Sequence, residues 1–312
     1  MRRALLVANP WASAFTGALH RRVVADLGEA YDLDAVWPNS AAEARQMASE
    51  AAADGFHAVI AMGGDGVVHH VANGIARTST ALGVVPAGTT NVVARILGLP
   101  QRPAKAAALL KDADITPMTL AHLATDSGVG ARSEFAVFAA GIGYDADMVQ
   151  IAEQRPTSKY HFGSVHYARS AAAALLTDYR RRPANLRVTC DGERRDAVAV
   201  LVQVHDPYTY FGRVPLRLDR GSSDGLTVAA IESLALRRAS GVLARAVTGR
   251  DIGNVSGVSV WQDPAKVIIE AEPSSRFQAD GEPLGATDWL EISPVPRGLA
   301  VLTPRKEDPP PR

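Results

Sequence analysis

Only one cysteine, Cys190, occurs in 312 residues. A disulfide within the chain is excluded, and the usage fits a reducing compartment. A surplus of one charge is also missing, because 33 basic and 33 acidic side chains cancel. Nucleic-acid binding over a broad surface draws on a clear basic excess, so no nucleic-acid partner is expected, although a local basic patch is compatible with the balance. No uninterrupted apolar stretch reaches the roughly 18 residues of a spanning helix. The opening MRRALLVANP places two arginines before an apolar stretch that ends at Pro10, which reads as a first strand and not as a signal peptide. A cytoplasmic protein is the expectation, with room for peripheral contact at the inner membrane face. No repeat period is visible, and the one compositionally biased segment is the polar, Pro-rich tail 305–312, expected to be disordered.

The first part of the chain alternates strand and helix signals. ALLVANP, DLDAVWP, HAVIAM and LGVVP read as buried strands, separated by helical spacing over 17–30, from Ser40 as N-cap to Asp54, and from Gly66 onward. Such alternation predicts a parallel sheet covered on both faces. After about residue 121 short β-type runs dominate, among them EFAVFAAG, NLRVTC, AVAVLVQV, GLTVAAI and KVIIEAE, with helical stretches near 164–177 and 236–247. The expected architecture is an α/β domain with a parallel sheet over 1–121, followed by a β-rich, antiparallel sandwich over 122–304. Its last strand, GLAVLTP, has the option of pairing with either domain.

The stretch HAVIAMGGDGVVHH (57–70) joins a strand to a helix through Gly63, Gly64, Asp65 and Gly66. Ligands of open α/β sheets bind at this carboxyl edge. Glycine lets a backbone approach a ligand closely, and the helix that follows offers unpaired N–H donors and the positive end of its dipole, which suits phosphate. Asp65 would repel an anion unless it meets a magnesium ion or orients a loop. A plain tight turn is the alternative. PAGTTNVVAR (86–95), with Gly88 and Thr89, repeats the strand–glycine–helix logic, and ANPWASAF (8–15) is a third polar turn at a strand end. Three such turns along one sheet edge look like a nucleotide site. It is not a Walker loop, since G-x-x-x-x-G-K-(S/T) is absent, and no early G-x-G-x-x-G occurs.

GGDGVVHHVANG resembles the G-G-D-G-T-x-N-E-x-x-N-G signature of the diacylglycerol kinase catalytic domain, a family that includes sphingosine and ceramide kinases and bacterial lipid kinases. Asn9-Pro10-Trp11-Ala12-Ser13 is similar to its N-P-x-(S/A)-G, and PAGTTNVVAR to its P-x-G-T-x-N-D-x-A-R. AAGIGYDADM, SSDGLTV and QADGEP resemble later family segments in the same order. The resemblance implies an N-terminal domain related to NAD kinase, a β-rich C-terminal domain and ATP between them. It implies that Gly63, Gly64, Asp65 and Gly66 hold the ATP phosphates, with Asn9, Gly88 and Thr89 lining the pocket. Glu282, in Asp280-Gly281-Glu282, matches the general base that takes the proton of a lipid hydroxyl, with Asp280 beside it in the catalytic pair. Asp224 matches an aspartate that organises Mg²⁺. Each assignment has a plainer reading. Asp-Gly is a strong hairpin signal, as in the second DGE at 191–193, and Asp224 precedes a strand as a turn residue would.

Departures from the family pattern are specific. Val67 replaces a threonine, His69-His70 an Asn-Glu pair and Val92 an aspartate, and Ala14 and Phe15 follow Ser13 where a glycine is expected. Adjacent histidines on a helix face different ways, which disfavours a metal pair at 69 and 70. The implied activity is ATP-dependent phosphorylation of diacylglycerol or a related lipid. A non-catalytic lipid or nucleotide sensor on the same fold and NAD kinase, which shares G-G-D-G, are the alternatives. Aromatic residues around His161, His166 and HDPYTYFG read either as the lip of a lipid pocket or as loop packing. Arg180-Arg181-Arg182 and Arg237-Arg238 read either as contacts to anionic lipid or as solvated helix ends, and an exposed sheet edge would allow a homodimer.

Overall fold

The computed structural model describes residues 2–125, 131–153, 177–180, 182–219 and 225–305. The chain divides into two compact units, Met1–Leu120 with Val295–Arg312, and Ala121–Pro294. Residues 164–176 of the helix expected over 164–177, the SSD of 222–224 and the tail 306–312 lie outside the described residues.

The first unit runs β1 (Arg2–Ala8), α1 (Gly17–Gly28), β2 (Tyr31–Val36), α2 (Ala41–Ala53), β3 (Ala58–Gly63), α3 (Asp65–Ile75), β4 (Ala81–Pro86), α4 (Val92–Ile96), α5 (Pro103–Leu110) and the start of β5 (Asp114–Thr125). Its sheet is parallel in the order β2-β1-β3-β4, with Ala4 opposite Ala58 and Ala58 opposite Ala81. β3 and β4 are buried at every position, as parallel strands covered on both faces must be. The chain's last strand, β16 (Glu282–Thr303), supplies the next parallel partner through Ala300 opposite Ala81 and Val301 opposite Leu82. Helix starts follow local chemistry. Thr16 Oγ1 accepts from Leu19 N at 3.1 Å, and Ser40 Oγ accepts from Glu43 N at 3.1 Å. α2 turns Ala44, Ala48 and Ala51 inward. Small residues are needed there because α3 comes close. A Cβ on Gly74 would stand 2.5 Å from the Arg45 carbonyl oxygen and 2.8 Å from Ala48 Cβ.

In the second unit β6 (Ser133–Ala136), β7 (Ala139–Gly143), α6 (Tyr144–Glu153), β8 (Leu186–Cys190), β9 (Glu193–Ala197), β10 (Ala199–Gln203), β11 (Thr209–Phe211), β12 (Val214–Leu216), β13 (Thr227–Ile231), α7 (Leu236–Thr248), β14 (Val258–Gln262), β15 (Val267–Ala279) and most of β16 follow in turn. Every pairing within this unit for which a register is resolved is antiparallel, in the order β14-β13-β10-β7-β15-β16. β15 bends at two irregularities, so that Val267–Ala271 pairs with β8 and Phe277–Ala279 with β7. Val188, Val200, Val202, Val228, Ile269, Phe277, Leu290 and Ile292 form the core. Cys190 lies in it, and burial pushes its thiol up to about 12, so the one cysteine is a packing residue.

Candidate active site

In the first unit three strand-end loops are stitched together by backbone hydrogen bonds. Asn9 N donates to the Met62 carbonyl at 2.9 Å, Ala87 N to the Gly63 carbonyl at 2.7 Å, Gly88 N to the same oxygen at 3.1 Å, and Ala14 N to the Ala87 carbonyl at 2.9 Å. The glycines are what permit this closeness. A Cβ on Gly88 would lie 2.4 Å from Gly64 Cα, and one on Gly63 would lie 2.4 Å from Val67 Cγ1 and 3.3 Å from Asn9 Cβ. Gly64 caps α3 without a side-chain hydrogen bond, so the first N–H groups of this eleven-residue helix have no partner within the helix. Gly63, Gly64, Gly88 and Asn9 are thus brought together, Gly66 lies in the first turn of α3, and Thr89 stands exposed on the loop after β4.

Asp65 resolves one of the two roles left open for it. Its Oδ1 accepts from Val93 N at 3.2 Å, so it caps α4 and ties the second glycine loop to the third. Asn91 does similar work and was not singled out in the sequence. It is buried, takes φ +49°, accepts from Gly88 N through Oδ1 at 2.9 Å, and donates from Nδ2 to the Gly88 carbonyl at 2.9 Å and to Gln101 Oε1 at 3.2 Å. Asparagine tolerates that left-handed backbone, and this was the available signal. Asn9 folds onto its own loop, Oδ1 accepting from Trp11 N at 2.9 Å. Val67 fills the space beside Gly63. His69 is fully buried with Asn73 Nδ2 donating to its carbonyl at 3.0 Å, and the two histidine rings meet edge-on at 5.1 Å. His69 is therefore a core residue.

The second unit holds the acidic turn. Asp280 (φ +55°) and Gly281 (φ +83°) form a two-residue hairpin between Ala279 and Glu282, and Asp191 (φ +48°) with Gly192 (φ +79°) forms the same turn between Cys190 and Glu193. The hairpin reading thus holds for both DGE tripeptides, and the two differ in surroundings. Asp191 is exposed, whereas Asp280 is 4% exposed. Its Oδ1 accepts from Val137 N (3.0 Å), Phe138 N (2.8 Å) and Ala139 N (3.2 Å), and its Oδ2 from Val137 N (2.8 Å). Asp280 N returns a bond to the Ala139 carbonyl at 2.7 Å. A carboxylate held by three main-chain amides is anchored in place. Glu282 opens β16 half-buried.

A buried chain of polar groups supports the turn from behind. Gln278 Oε1 accepts from Gly281 N at 2.9 Å, and its Nε2 donates to Asp145 Oδ2 at 2.6 Å. Tyr208 donates to the same oxygen at 2.8 Å. Burial pushes the Asp145 carboxyl upward, against the pull of the Tyr208 and Gln278 hydrogen bonds, and burial followed by the Asp145 charge pushes the Tyr208 phenol well above its usual range. Gly141 leaves room for the carboxylate, since a Cβ there would lie 2.2 Å from Asp145 Oδ2. The sequence carried these residues inside AAGIGYDADM, HDPYTYFG and QADGEP without indicating that they meet. Tyr208 belongs to this network and not to an exposed lip.

Asp224, the expected magnesium ligand, lies outside the described residues, as do Arg181, His161 and His166. Among the described residues no cluster of three His, Cys, Asp or Glu side chains is placed to hold a metal, and no helix is long and apolar enough to cross a membrane. Arg182 is engaged by Asp178 and Asp147 and stacks on Tyr179, and Arg238 pairs with Glu232 at 3.1 Å.

A parallel α/β unit with glycine-lined strand ends, joined to an antiparallel β unit, defines a NAD kinase-like kinase fold. The family described as diacylglycerol kinase catalytic domain matches residues 3–123, and the YegS C-terminal NAD kinase beta sandwich-like domain matches residues 139–303. A diacylglycerol kinase of Mycobacterium tuberculosis is 30% identical over 269 residues, covering 84% of this chain and 82% of that protein. One from Bacillus subtilis is 37% identical over 105 residues, 32% of this chain and 35% of that one. Among solved structures, a diacylglycerol kinase from Bacillus anthracis superposes with TM-score 0.69 at 20% identity over 97% of both chains. Yeast NADH kinase superposes with TM-score 0.53 at 10% identity over 96% of this chain and 83% of that one. The chain belongs to the diacylglycerol kinase family.

Proposed function

We propose that the protein is an ATP-dependent lipid kinase that transfers the γ-phosphoryl group to the hydroxyl of diacylglycerol or a closely related lipid. The observation that carries this reading is the cradle of the first unit. Gly63 and Gly88 sit where an added Cβ would clash, so the glycine loops approach closer than side chains would allow, at the open N-terminus of α3. Such a cradle fits a polyphosphate, and ATP would supply the phosphoryl group there. The amides of Gly64, Asp65 and Gly66 hold negative charge, Asn9 and Thr89 border the loops, and Asp65 and Asn91 keep the loops in register. Magnesium is proposed as the nucleotide's counter-ion, with Asp224 as its expected ligand.

In the second unit Glu282 is the proposed base. Its carboxylate takes the acceptor's hydroxyl proton as the oxygen attacks phosphorus. Asp280 fixes the turn from which Glu282 projects, and Gln278 and Asp145 brace it, so the base is held on a rigid hairpin. Val67 stands where the family pattern offers the phosphate a threonine hydroxyl, and this loss favours the sensor as second reading. The test is transfer of labelled γ-phosphate to a panel of diacylglycerol, monoacylglycerol, sphingosine, ceramide, undecaprenol and NAD. Label in one lipid, lost by roughly 100-fold or more in Glu282→Gln with ATP binding intact, is the expected result. Label in NAD alone overturns the lipid assignment, and bound ATP with no transfer to any of these acceptors favours the sensor.

A further inference from the structure

Helix α7 leaves its bulkiest apolar side chains in water. Ala246 is buried and Ala239 and Val242 are half-buried, whereas Leu236 and Leu243 are each 57% exposed and Val247 is exposed too. Their spacing of seven and four residues sets them on one stripe of the helix. α7 packs against the hairpin β11–β12, where Arg217 N donates to the Ala246 carbonyl at 3.0 Å. The tip of that hairpin carries Phe211, 68% exposed, and its cross-strand partner Val214, also exposed. Five of the eight large apolar side chains found exposed among the described residues lie in these two adjoining elements. Scattered apolar side chains are ordinary on a surface, whereas a cluster of this kind marks a contact face.

Basic side chains predominate around it. α7 contains Arg237, Arg238 and Arg245 and no acid, Arg213 sits between Phe211 and Val214, and Arg250 follows the helix. Arg238 is neutralised by Glu232, and Arg245 donates to the Asp251 carbonyl. Arg213, Arg237 and Arg250 are exposed and, among the described residues, have no carboxylate at ion-pair distance. We propose that this face of the second unit docks the protein on an anionic phospholipid bilayer, with Phe211, Val214, Leu236, Leu243 and Val247 entering the headgroup boundary and the three arginines meeting lipid phosphates. A second copy of the chain fits less well, because a two-fold contact would set the arginines against themselves. The choice of a bilayer rests on the reading of the acceptor as a lipid. Apolar side chains supply the depth of binding and arginines the preference for anionic lipid.

The test is flotation with vesicles of phosphatidylcholine alone and with about one third phosphatidylglycerol. The whole protein is expected to float with the anionic vesicles and to be released as salt rises. Phe211→Ser with Leu243→Ser lowers the partition at least about tenfold, since each lost side chain forfeits most of its transfer free energy. Arg213→Glu with Arg237→Glu lowers it about tenfold or more and abolishes the preference for phosphatidylglycerol. Because these positions are exposed, the urea midpoint and phosphorylation of a water-soluble short-chain diacylglycerol stay unchanged. Wild-type protein that ignores anionic vesicles, or variants that float as well as wild type, overturn the proposal. A patch variant that dissociates a dimer and still floats does so as well. Flotation without transfer to any lipid sinks the kinase reading and leaves the docking face; transfer to the soluble acceptor without flotation does the reverse.

Discussion

Removing the Asp280 carboxylate should be far more damaging than removing the carboxylate of Asp191, although both occupy the first position of the same two-residue turn in the same tripeptide. In Asp280→Ala the amides of Val137, Phe138 and Ala139 lose their acceptor inside the protein. Each orphaned buried donor costs about 1–3 kcal/mol, and with water relieving part of it the sum is about 3–6 kcal/mol. Alanine in the left-handed region adds about 1 kcal/mol, a cost shared by Asp191→Ala, which loses nothing else because its side chain is exposed. The two variants should therefore differ by about 3–6 kcal/mol. Asp280→Asn keeps one oxygen as acceptor and should fall between them. Urea unfolding gives the stabilities, and hydrogen exchange at residues 137–139 reports the amides directly. Equal loss in the two alanine variants, or unchanged exchange at those amides in Asp280→Ala, would refute the anchoring role.

Gly88→Ala places a Cβ where Gly64 Cα already lies 2.4 Å away, so the loops must part, and ATP affinity measured by calorimetry should fall more than about tenfold; an unchanged Kd would mean that the loops do not form the phosphate cradle. Asp145 has a folded-state pKa raised above its ordinary 3.8, so the native protein binds this proton more tightly than the unfolded chain. Its contribution to stability is complete below that ordinary value and is lost as pH rises through the raised one. Asp145→Asn removes the titration and should flatten the fall of the urea midpoint as pH rises above that ordinary value, whereas an unaltered profile would exclude Asp145 as its source.

How much of this was legible beforehand differs between elements. The alternation of buried β-runs with helical spacing and the placing of Gly63-Gly64-Asp65-Gly66 at a strand-to-helix junction are local patterns, because a parallel strand buried on both faces must be apolar throughout and a close loop contact needs glycine. Motif order along the chain carried the family, and the switch to short β-type runs after about residue 121 carried the change from parallel to antiparallel architecture. Several contacts depended on long-range register. The chain's final strand had two partners open to it, and pairing of Ala300 with Ala81 decided between them. Asp65 had two candidate roles, and only the arrival of Val93 N beside it showed the loop-orienting one. Asp145, Tyr208 and Gln278 come from three distant segments and gain meaning only when one oxygen receives two of them.

The two DGE turns state the division plainly. The tripeptide by itself determined the turn, since Asp and Gly both accept positive φ and the flanking β-runs demand a tight return. Local sequence cannot say which turn is buried against a row of main-chain amides and which faces water, because that depends on the strands packed around it. The tertiary structure placed Val137, Phe138 and Ala139 around Asp280 and left Asp191 in solvent, and this difference in desolvation and hydrogen bonding separates an anchoring carboxylate from an ordinary hairpin.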